Sequence, residues 1–525
     1  MVETGFITRA ARGSGILAAQ SVLNALLGTG LFMYIARILT KEEMGVYGSV
    51  NLTYSLAVMI GILGLDYAAS RFIPNFIGKG EFVCASLVTK RILVLSSISA
   101  LVISIAYFIS SGSLSEVMLG TKQFTPVFQV ASFLVLSSIL SSMFSAFIQG
   151  LQKFARLALF RLISQIVRVV VSVLLLMGGF GVIAVLAGGA IMAFTFTLLA
   201  LPISLSWIAK ARNGFDPGPS LRTKNLLSFA LPMLSYGLIS YVLGSVDQFI
   251  VLGLIGVTAL GVYTVAMTGA GFTSTILGAP LLVTLTPSMS EAHGQSGIEN
   301  VAGILKLSSR YIALLFIPTT LGLATLSPLA LLILAGDRYM EASLPMIILC
   351  LGVATSGFTT AITSALIAIG KTRVVMFITL FSSLIGLALS FVLTVPFGIT
   401  GATSAKALMS LILLLLSIWL GSKVIPIAFD SKAIKGSLIA SAVMAIGTYT
   451  IASSTGFSLL LLPLYLTLAF VIYSLSLSSM HILTLDDLEL MIKMVLGGER
   501  IRERARKRLI RSKLLLKVLR RFFGF

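Results

Sequence analysis

A bundle of about fourteen transmembrane α-helices is the fold this sequence predicts, and three observations carry the prediction. Only 11% of the 525 residues are charged and 57% are hydrophobic, whereas about a quarter of a soluble globular chain is charged. The mean hydropathy is +1.05. The apolar stretches are long enough to cross a hydrocarbon core as helix, which takes about 20 residues. Runs such as Leu411 to Leu416 and Leu459 to Leu462 lack the polar alternation of a barrel strand, so helices are expected and strands are not. The chain opens on the polar segment Met1 to Gly13, and its first apolar run is full length, unlike a cleavable leader.

The spans begin near Ser14, Gly45, Ile92, Pro126, Leu162, Phe180, Leu226, Leu260, Leu307, Leu344, Val374, Gly398, Gly436 and Phe457. Loop charge checks their number, because cytoplasmic loops gather Lys and Arg. With the N-terminus inside, the outer ends hold only Arg37, Lys41, Lys122 and Arg338, while Arg168 and Lys406 lie well within spans. Every other one of the 38 basic residues falls at an inner end or in the C-terminal tail, among them Lys153, Arg156, Lys306, Lys371 and Arg373. One missing or extra helix would break that alternation. The sequence therefore predicts a multi-pass protein of the plasma or inner membrane with both termini cytoplasmic.

From about Leu483 the chain becomes charged and amphipathic. Arg502, Arg504, Arg506, Lys507 and Arg508 precede Leu509, Leu514, Leu515 and Val518, and this tail with the inner loops explains most of the net +20. A basic helix can bind nucleic acid. Beside a membrane, attraction to anionic lipid headgroups is the simpler reading, and no nucleic-acid partner is expected.

Other chemistry is sparse. Cys84 and Cys350 are too few for a disulfide framework and read as small buried hydrophobes. His293 and His481 are isolated, so no metal site is expected. Gly370-Lys371-Thr372 imitates the end of a phosphate loop, but position 365, where the first glycine is required, is Ala365, and the segment sits in a helix hairpin. No cofactor, no ATP hydrolysis and no enzymatic glycan synthesis are predicted.

The chain repeats itself. Gly45-Val-Tyr47 returns as Gly261-Val-Tyr263, 216 positions on. Arg156 in the Gly150 loop is matched by Arg373 in the Gly370 loop, and Phe180-Gly by Phe397-Gly, both 217 positions on. Pro74 and Pro287 differ by 213. These offsets cover six spans, an even number, so the two halves share an orientation about an axis along the membrane normal, with a central cavity between them. The predicted division is a six-helix lobe over 1–210, a cytoplasmic linker over 211–225, a second six-helix lobe over 226–422, helices thirteen and fourteen over 423–482, and the basic tail over 483–525.

A 6+6 parallel repeat with two added helices resembles the multidrug/oligosaccharidyl-lipid/polysaccharide exporter superfamily, a MATE/MOP-like architecture. Arg37-Ile-Leu-Thr-Lys-Glu-Glu-Met-Gly-Val-Tyr47 resembles the stretch between the first two helices of the polysaccharide-biosynthesis (Wzx-like) flippases, and Phe229-Ala-Leu-Pro232 through Asp247 to Tyr263 is similar to the start of their second half. The likeness covers roughly residues 10 to 480. It implies a lipid-linked oligosaccharide bearing phosphate or pyrophosphate, moved from the cytoplasmic to the outer leaflet. It also implies glycosyltransferases or a polymerase of one pathway as partners. The chain is expected to act as a monomer.

Ionisable groups within a span are costly and commonly face a cavity or a partner. On the fifth span, Arg161, Gln165, Arg168 and Ser172 fall at helical spacing on one face. Arg161 either snorkels to the cytoplasmic interface or faces the cavity. Arg168, about 10 Å deeper, either caps a neighbouring helix or offers its donor fork to phosphate. Lys406 enters the twelfth span from outside, to face the cavity or snorkel outward. Gln20 and Asn24 form a short polar face on the first span, as interhelical glue or as sugar ligands.

Asp247 is placed near the outer end of the seventh span and Asp66 near the inner end of the second, close to Arg71. Local ion pairs are the plain reading of both acids. The sharper one makes them gating or ion-coupling groups, with Asp247 and Arg37 closing the outer side. Two other functions compete with a flippase. A cation-coupled multidrug (MATE-type) antiporter needs buried carboxylates, and the candidate bases here outnumber the acids. A polymerase or ligase needs a large outer loop, and the longest, near Ser111 to Thr125, is short.

Overall fold

The computed structural model describes residues 2–209 and 223–482. Among them the chain is helical, in the order α1 (Val2–Ile38), α2 (Lys41–Ile62), α3 (Leu65–Gly78), α4 (Phe82–Ile109), α5 (Ser111–Leu119), α6 (Thr125–Gly150), α7 (Phe154–Met177), α8 (Gly181–Ile208) and α9 (Thr223–Gly244). There follow α10 (Val246–Leu254), α11 (Val257–Thr273), α12 (Ala279–Ser296), α13 (Ile298–Thr325), α14 (Ser327–Ala335), α15 (Ser343–Ala368), α16 (Thr372–Ser422), α17 (Ser431–Ser454) and α18 (Leu462–Ser479).

Thirteen helical stretches are long and apolar enough to span a membrane. The 51-residue α16 is one of these stretches but holds two spans: at 1.5 Å per residue it would run about 76 Å, far beyond a core of about 30 Å. It reverses after Pro396 at Gly398, whose φ of 59° and ψ of −134° are open to glycine. Among the described residues the span count is therefore fourteen, and the chain is a multi-pass membrane protein. Helices start earlier than the apolar runs imply. α4 begins at Phe82 and carries Lys90 and Arg91 in its first turns, since backbone hydrogen bonding continues past the hydrocarbon edge. The basic tail over 483–525 and residues 211–222 of the predicted linker lie outside the described residues, while 223–225 already belong to α9.

Several spans are broken. Leu63 and Gly64 both adopt positive φ, 54° and 69°, and split the second span into α2 and α3. The seventh breaks at Ser245 between α9 and α10. The eighth passes through a π-helical turn, Ser274–Gly278, between α11 and α12.

Helix interfaces are lined by small residues and hydroxyls, as close approach in a membrane requires. Buried Ser382 and Ser417 donate to the carbonyls of Ile378 (2.7 Å) and Leu413 (2.6 Å) on their own helix. Large apolar side chains such as Ile109, Leu460 and Phe470 face outward, where lipid is the solvent. α1 packs on α7, α7 on α8, α6 on α4 and α8. In the rest of the chain α15 packs on α13 and α16, and α17 lies against α13 and α18. These two groups meet along α2–α11, α2–α9, α3–α9, α1–α12 and α1–α14.

Candidate functional site

A polar cavity of about 420 Å³ lies among α1, α2, α3, α6, α7 and α8. All six belong to the first six spans, so this chamber does not sit centrally between the halves as the repeat alone implied. The reason is steric. A Cβ built on Gly64 would lie 2.2 Å from the Ala230 carbonyl oxygen, and one on Gly45 1.9 Å from that of Val257. The two groups of helices touch there at backbone distance.

α7 supplies the basic wall. Its polar face is the one predicted: Gln165 and Ser172 are buried while Ile166, Val170 and Leu174 look outward. Arg161 reaches the cavity and donates from Nη2 to Ser145 Oγ at 2.9 Å. Among the described residues no carboxylate is in ion-pair reach of Arg161 or Arg168. Arg168, half-buried two turns deeper on α7, is not among the residues lining this cavity, and its Nε is buried without an acceptor.

Asn24, Asp66, Arg161 and Gln165 thus meet in one chamber. Gln20 lies one turn from Asn24 on α1, and the amide nitrogen of Gln165 comes within 3.8 Å of the Cβ position of Gly28. Of the lining atoms, Asn24 Oδ1, Asp66 Oδ1 and Ser164 Oγ are buried without a protein partner, as are Gln20 Oε1, Arg168 Nε and Ser172 Oγ on α1 and α7 outside the lining. Buried polar groups are almost always satisfied, so this concentration of orphans marks a place where water or a polar ligand belongs. Arg71 lies over the ring of Phe72, 5.6 Å from its centroid.

Sequence reasoning missed the opposite wall: Ser141, Ser142, Ser145 and Gln149 of α6, with Ser70 of α3. The signal was present in the recurrence of Ser137, Ser141 and Ser145 every four residues along one helix face.

Lys406 is elsewhere. Its Nζ donates to the Gly244 carbonyl at 2.6 Å and to Asp247 Oδ1 at 3.0 Å, and Tyr263 donates its hydroxyl to Asp247 Oδ2. The break after Gly244 frees a carbonyl beside a buried acid, and the ammonium satisfies both, so Lys406 does not line the polar cavity. Asp247 is accordingly not paired with Arg37. The Arg37 guanidinium donates to the Ile333 carbonyl at 2.8 Å, Lys41 pairs with Glu341 at 2.6 Å, and Tyr339 donates to the Leu39 carbonyl at 3.4 Å. These contacts, and not an Asp247–Arg37 pair, join the ends of α1 and α2 to α14 and the segment after it.

A second chamber, also about 420 Å³, is apolar. Met33 of α1, Phe272 of α11, Leu334 of α14, Met346 of α15, Met444 of α17 and Leu466 of α18 line it. α1 therefore walls both chambers, through Asn24 on one and Thr29 and Met33 on the other. Among the described residues no cluster of His, Cys, Asp and Glu could hold a metal ion.

Residues 34–344 match the family described as "Polysaccharide biosynthesis protein". The chain belongs to that family. Among curated proteins, the chain is similar to a probable low-salt glycan biosynthesis flippase, Agl15, of Haloferax volcanii, 22% identical over 80% of this chain and 86% of that one. Similarity to stage V sporulation protein B of Bacillus subtilis is 24% over 159 residues, 30% of either chain. Among solved structures, the inward closed conformation of lipid II flippase MurJ superposes with a TM-score of 0.69, 17% identity, and coverage of 88% of this chain and 98% of that one. An inward-facing multidrug resistance MATE family transporter of the MOP superfamily gives 0.66 at 13% identity, covering 78% and 97%. At such identity these two establish the shared fold.

Proposed function

We propose that this protein moves a lipid-linked oligosaccharide, joined through phosphate or pyrophosphate, from the cytoplasmic to the outer leaflet by alternating access. The observation that carries the reading is the pair Arg161 and Arg168, two guanidinium groups without carboxylate partners on a helix face bordered by hydroxyls and amides. A guanidinium fork matches phosphate oxygens. Gln20, Asn24, Gln165 and the α6 serines supply the neutral donors and acceptors that sugar hydroxyls need. The apolar chamber across α1 suits the hydrocarbon end of the same molecule. The relatives' printed roles agree with this substrate class, one as a probable glycan flippase and one, by fold, as a lipid II flippase.

In this reading both termini are cytoplasmic, Arg37 with the Lys41–Glu341 pair holds the outer side shut, and the chain transports a glycan that other proteins build. Glycosyltransferases or a polymerase of the same pathway are its partners, and anionic lipids receive the basic tail. One observation favours a cation-coupled multidrug antiporter instead: Asp66 presents an unpaired carboxylate oxygen to the same cavity, and the MATE fold is shared.

Cells lacking the protein separate the two. Loss of the flippase leaves lipid-linked glycan on the cytoplasmic leaflet, with rescue by the wild type and by Asp66→Asn better than by Arg161→Ala. Loss of an antiporter leaves the glycan untouched and raises retention of cationic dyes.

A further inference from the structure

Charge in the polar cavity does not match a pyrophosphate unaided. The lining carries one basic and one acidic side chain, Arg161 of α7 and Asp66 of α3, so the formal charges of the wall cancel. A pyrophosphate esterified at both ends keeps a negative charge on each phosphorus. Arg168, deeper on α7 and outside the lining, narrows that gap without closing it. Asp66 widens it, because a carboxylate repels an anion brought beside it, most strongly away from water.

Arg161 and Asp66 share the chamber without pairing. Arg161 Nη2 donates to Ser145 Oγ at 2.9 Å, and among the described residues no base stands within ion-pair distance of Asp66. Asp66 Oδ1 is buried with no hydrogen-bond partner. An ionised carboxylate only accepts, so what it lacks is a donor or a cation. The wall around it is rich in oxygen. Asn24 Oδ1 and Ser164 Oγ are also buried without partners, and Ser164 is only 2% exposed. Ser70, four residues after Asp66 on α3, lines the same chamber. No His or Cys does, and hard oxygen donors select magnesium over softer metals.

We propose that Asp66 receives a hydrated magnesium ion that enters with a pyrophosphate-linked headgroup, while Arg161 takes phosphate oxygens that the metal leaves free. Magnesium keeps several waters and is usually bound through one or two carboxylates plus substrate phosphates, not by an all-protein cage. One acid among hydroxyls and amides meets that need, although the described residues hold no metal cluster of their own. The cation cancels the repulsion from Asp66 and supplies the charge that the wall lacks. This inference rests on the flippase reading and narrows its substrate to pyrophosphate linkage over monophosphate. It also gives the unpaired acid a role that requires no cationic drug.

The test is binding of a short-chain probe, geranyl pyrophosphoryl glucose, to the detergent-purified full chain, read by titration calorimetry in magnesium and in EDTA. Magnesium is expected to tighten wild-type binding by about tenfold or more, within the usual range of coupling between two ligands. The monophosphate analogue should show no such gain. Asp66→Asn should erase the difference between the two buffers, and Arg161→Ala should weaken binding in both. Equal wild-type affinity in magnesium and EDTA overturns the cation site and leaves the flippase reading standing. A loss of equal size in both buffers for Asp66→Asn also overturns it, because the acid then contacts the sugar and not a metal. No wild-type binding of either probe in either buffer overturns the inference together with the flippase reading. Elution of each variant as a single species in detergent confirms that folded protein is being read.

Discussion

Lys406 Nζ lies 3.0 Å from Asp247 Oδ1 and 2.6 Å from the Gly244 carbonyl oxygen. One ammonium group thereby satisfies the carbonyl exposed by the break in the seventh span and neutralises the acid just beyond it. Asp247 is 3% exposed, so removing either partner strands a charge away from water, at a cost of about 3–5 kcal/mol. Lys406→Met and Asp247→Asn should each lower the thermal midpoint in detergent markedly. The double variant should lose less than the sum of the two, because neither charge is then left alone. Additive losses would show that the pair is not coupled.

Asp430 forms a second clamp, on the predicted cytoplasmic side. Burial alone would raise its carboxyl, but the Ala433 amide and the Arg310 guanidinium outweigh burial and hold it below its ordinary range. Arg310 donates from Nη1 to Asp430 at 2.9 Å and from Nη2 to the Ile482 carbonyl at 2.7 Å, joining the start of α17 to the residue after which the tail begins. A carboxyl depressed on folding stabilises above its unfolded pKa of about 3.9 and loses that contribution as pH falls through its folded value. Thermal stability should therefore fall more steeply for the wild type than for Asp430→Asn on acidification below about pH 4. Parallel curves would remove Asp430 from the account.

Fold class and span number were legible because hydrophobic length and loop charge are summed over many residues and survive local errors. The breaks were not. Leu63 carries no sign of its positive φ, and the π-helical turn at Ser274 depends on its packing against α15, where Ser274 and Ser356 share a hydrogen bond of 3.2 Å. The α7 face was readable from spacing alone, since Arg161, Gln165 and Arg168 must share a side of any helix. Partners distant in sequence were not readable. Lys406 and Asp247 are separated by 159 positions, and no local pattern states that a freed carbonyl at Gly244 will draw the lysine away from the cavity.

Charge asymmetry predicts a topology that fusion reporters can read. A reporter active only in the cytoplasm should work when placed at the C-terminus or in the Gln152–Lys153 turn, and fail in the Thr121–Gln123 turn beyond α5. Activity at the last position would invert the assigned orientation.

The α7 guanidinium groups are specific rather than merely cationic in this account. A charge-assisted hydrogen bond is worth about 1.5–3 kcal/mol, so Arg161→Ala should slow transport by about tenfold or more. Arg161→Lys should recover little, since an ammonium lacks the planar fork. Ser145→Ala, which removes the resting partner of Arg161 and one hydroxyl of the α6 wall, should slow transport less than Arg161→Ala. Full recovery by lysine would reduce the role to net charge.

The most direct measurement uses proteoliposomes loaded with a lipid-linked, pyrophosphate-bearing oligosaccharide, reading the fraction reached by an external glycan-cleaving enzyme over time. The wild type should move glycan between leaflets, and Arg161→Ala with Arg168→Ala should reduce movement to that of protein-free vesicles while the protein still elutes as a single species. Wild-type vesicles that expose no more glycan than empty ones, or a double variant that transports at the wild-type rate, would contradict a phosphate-reading cavity on α7.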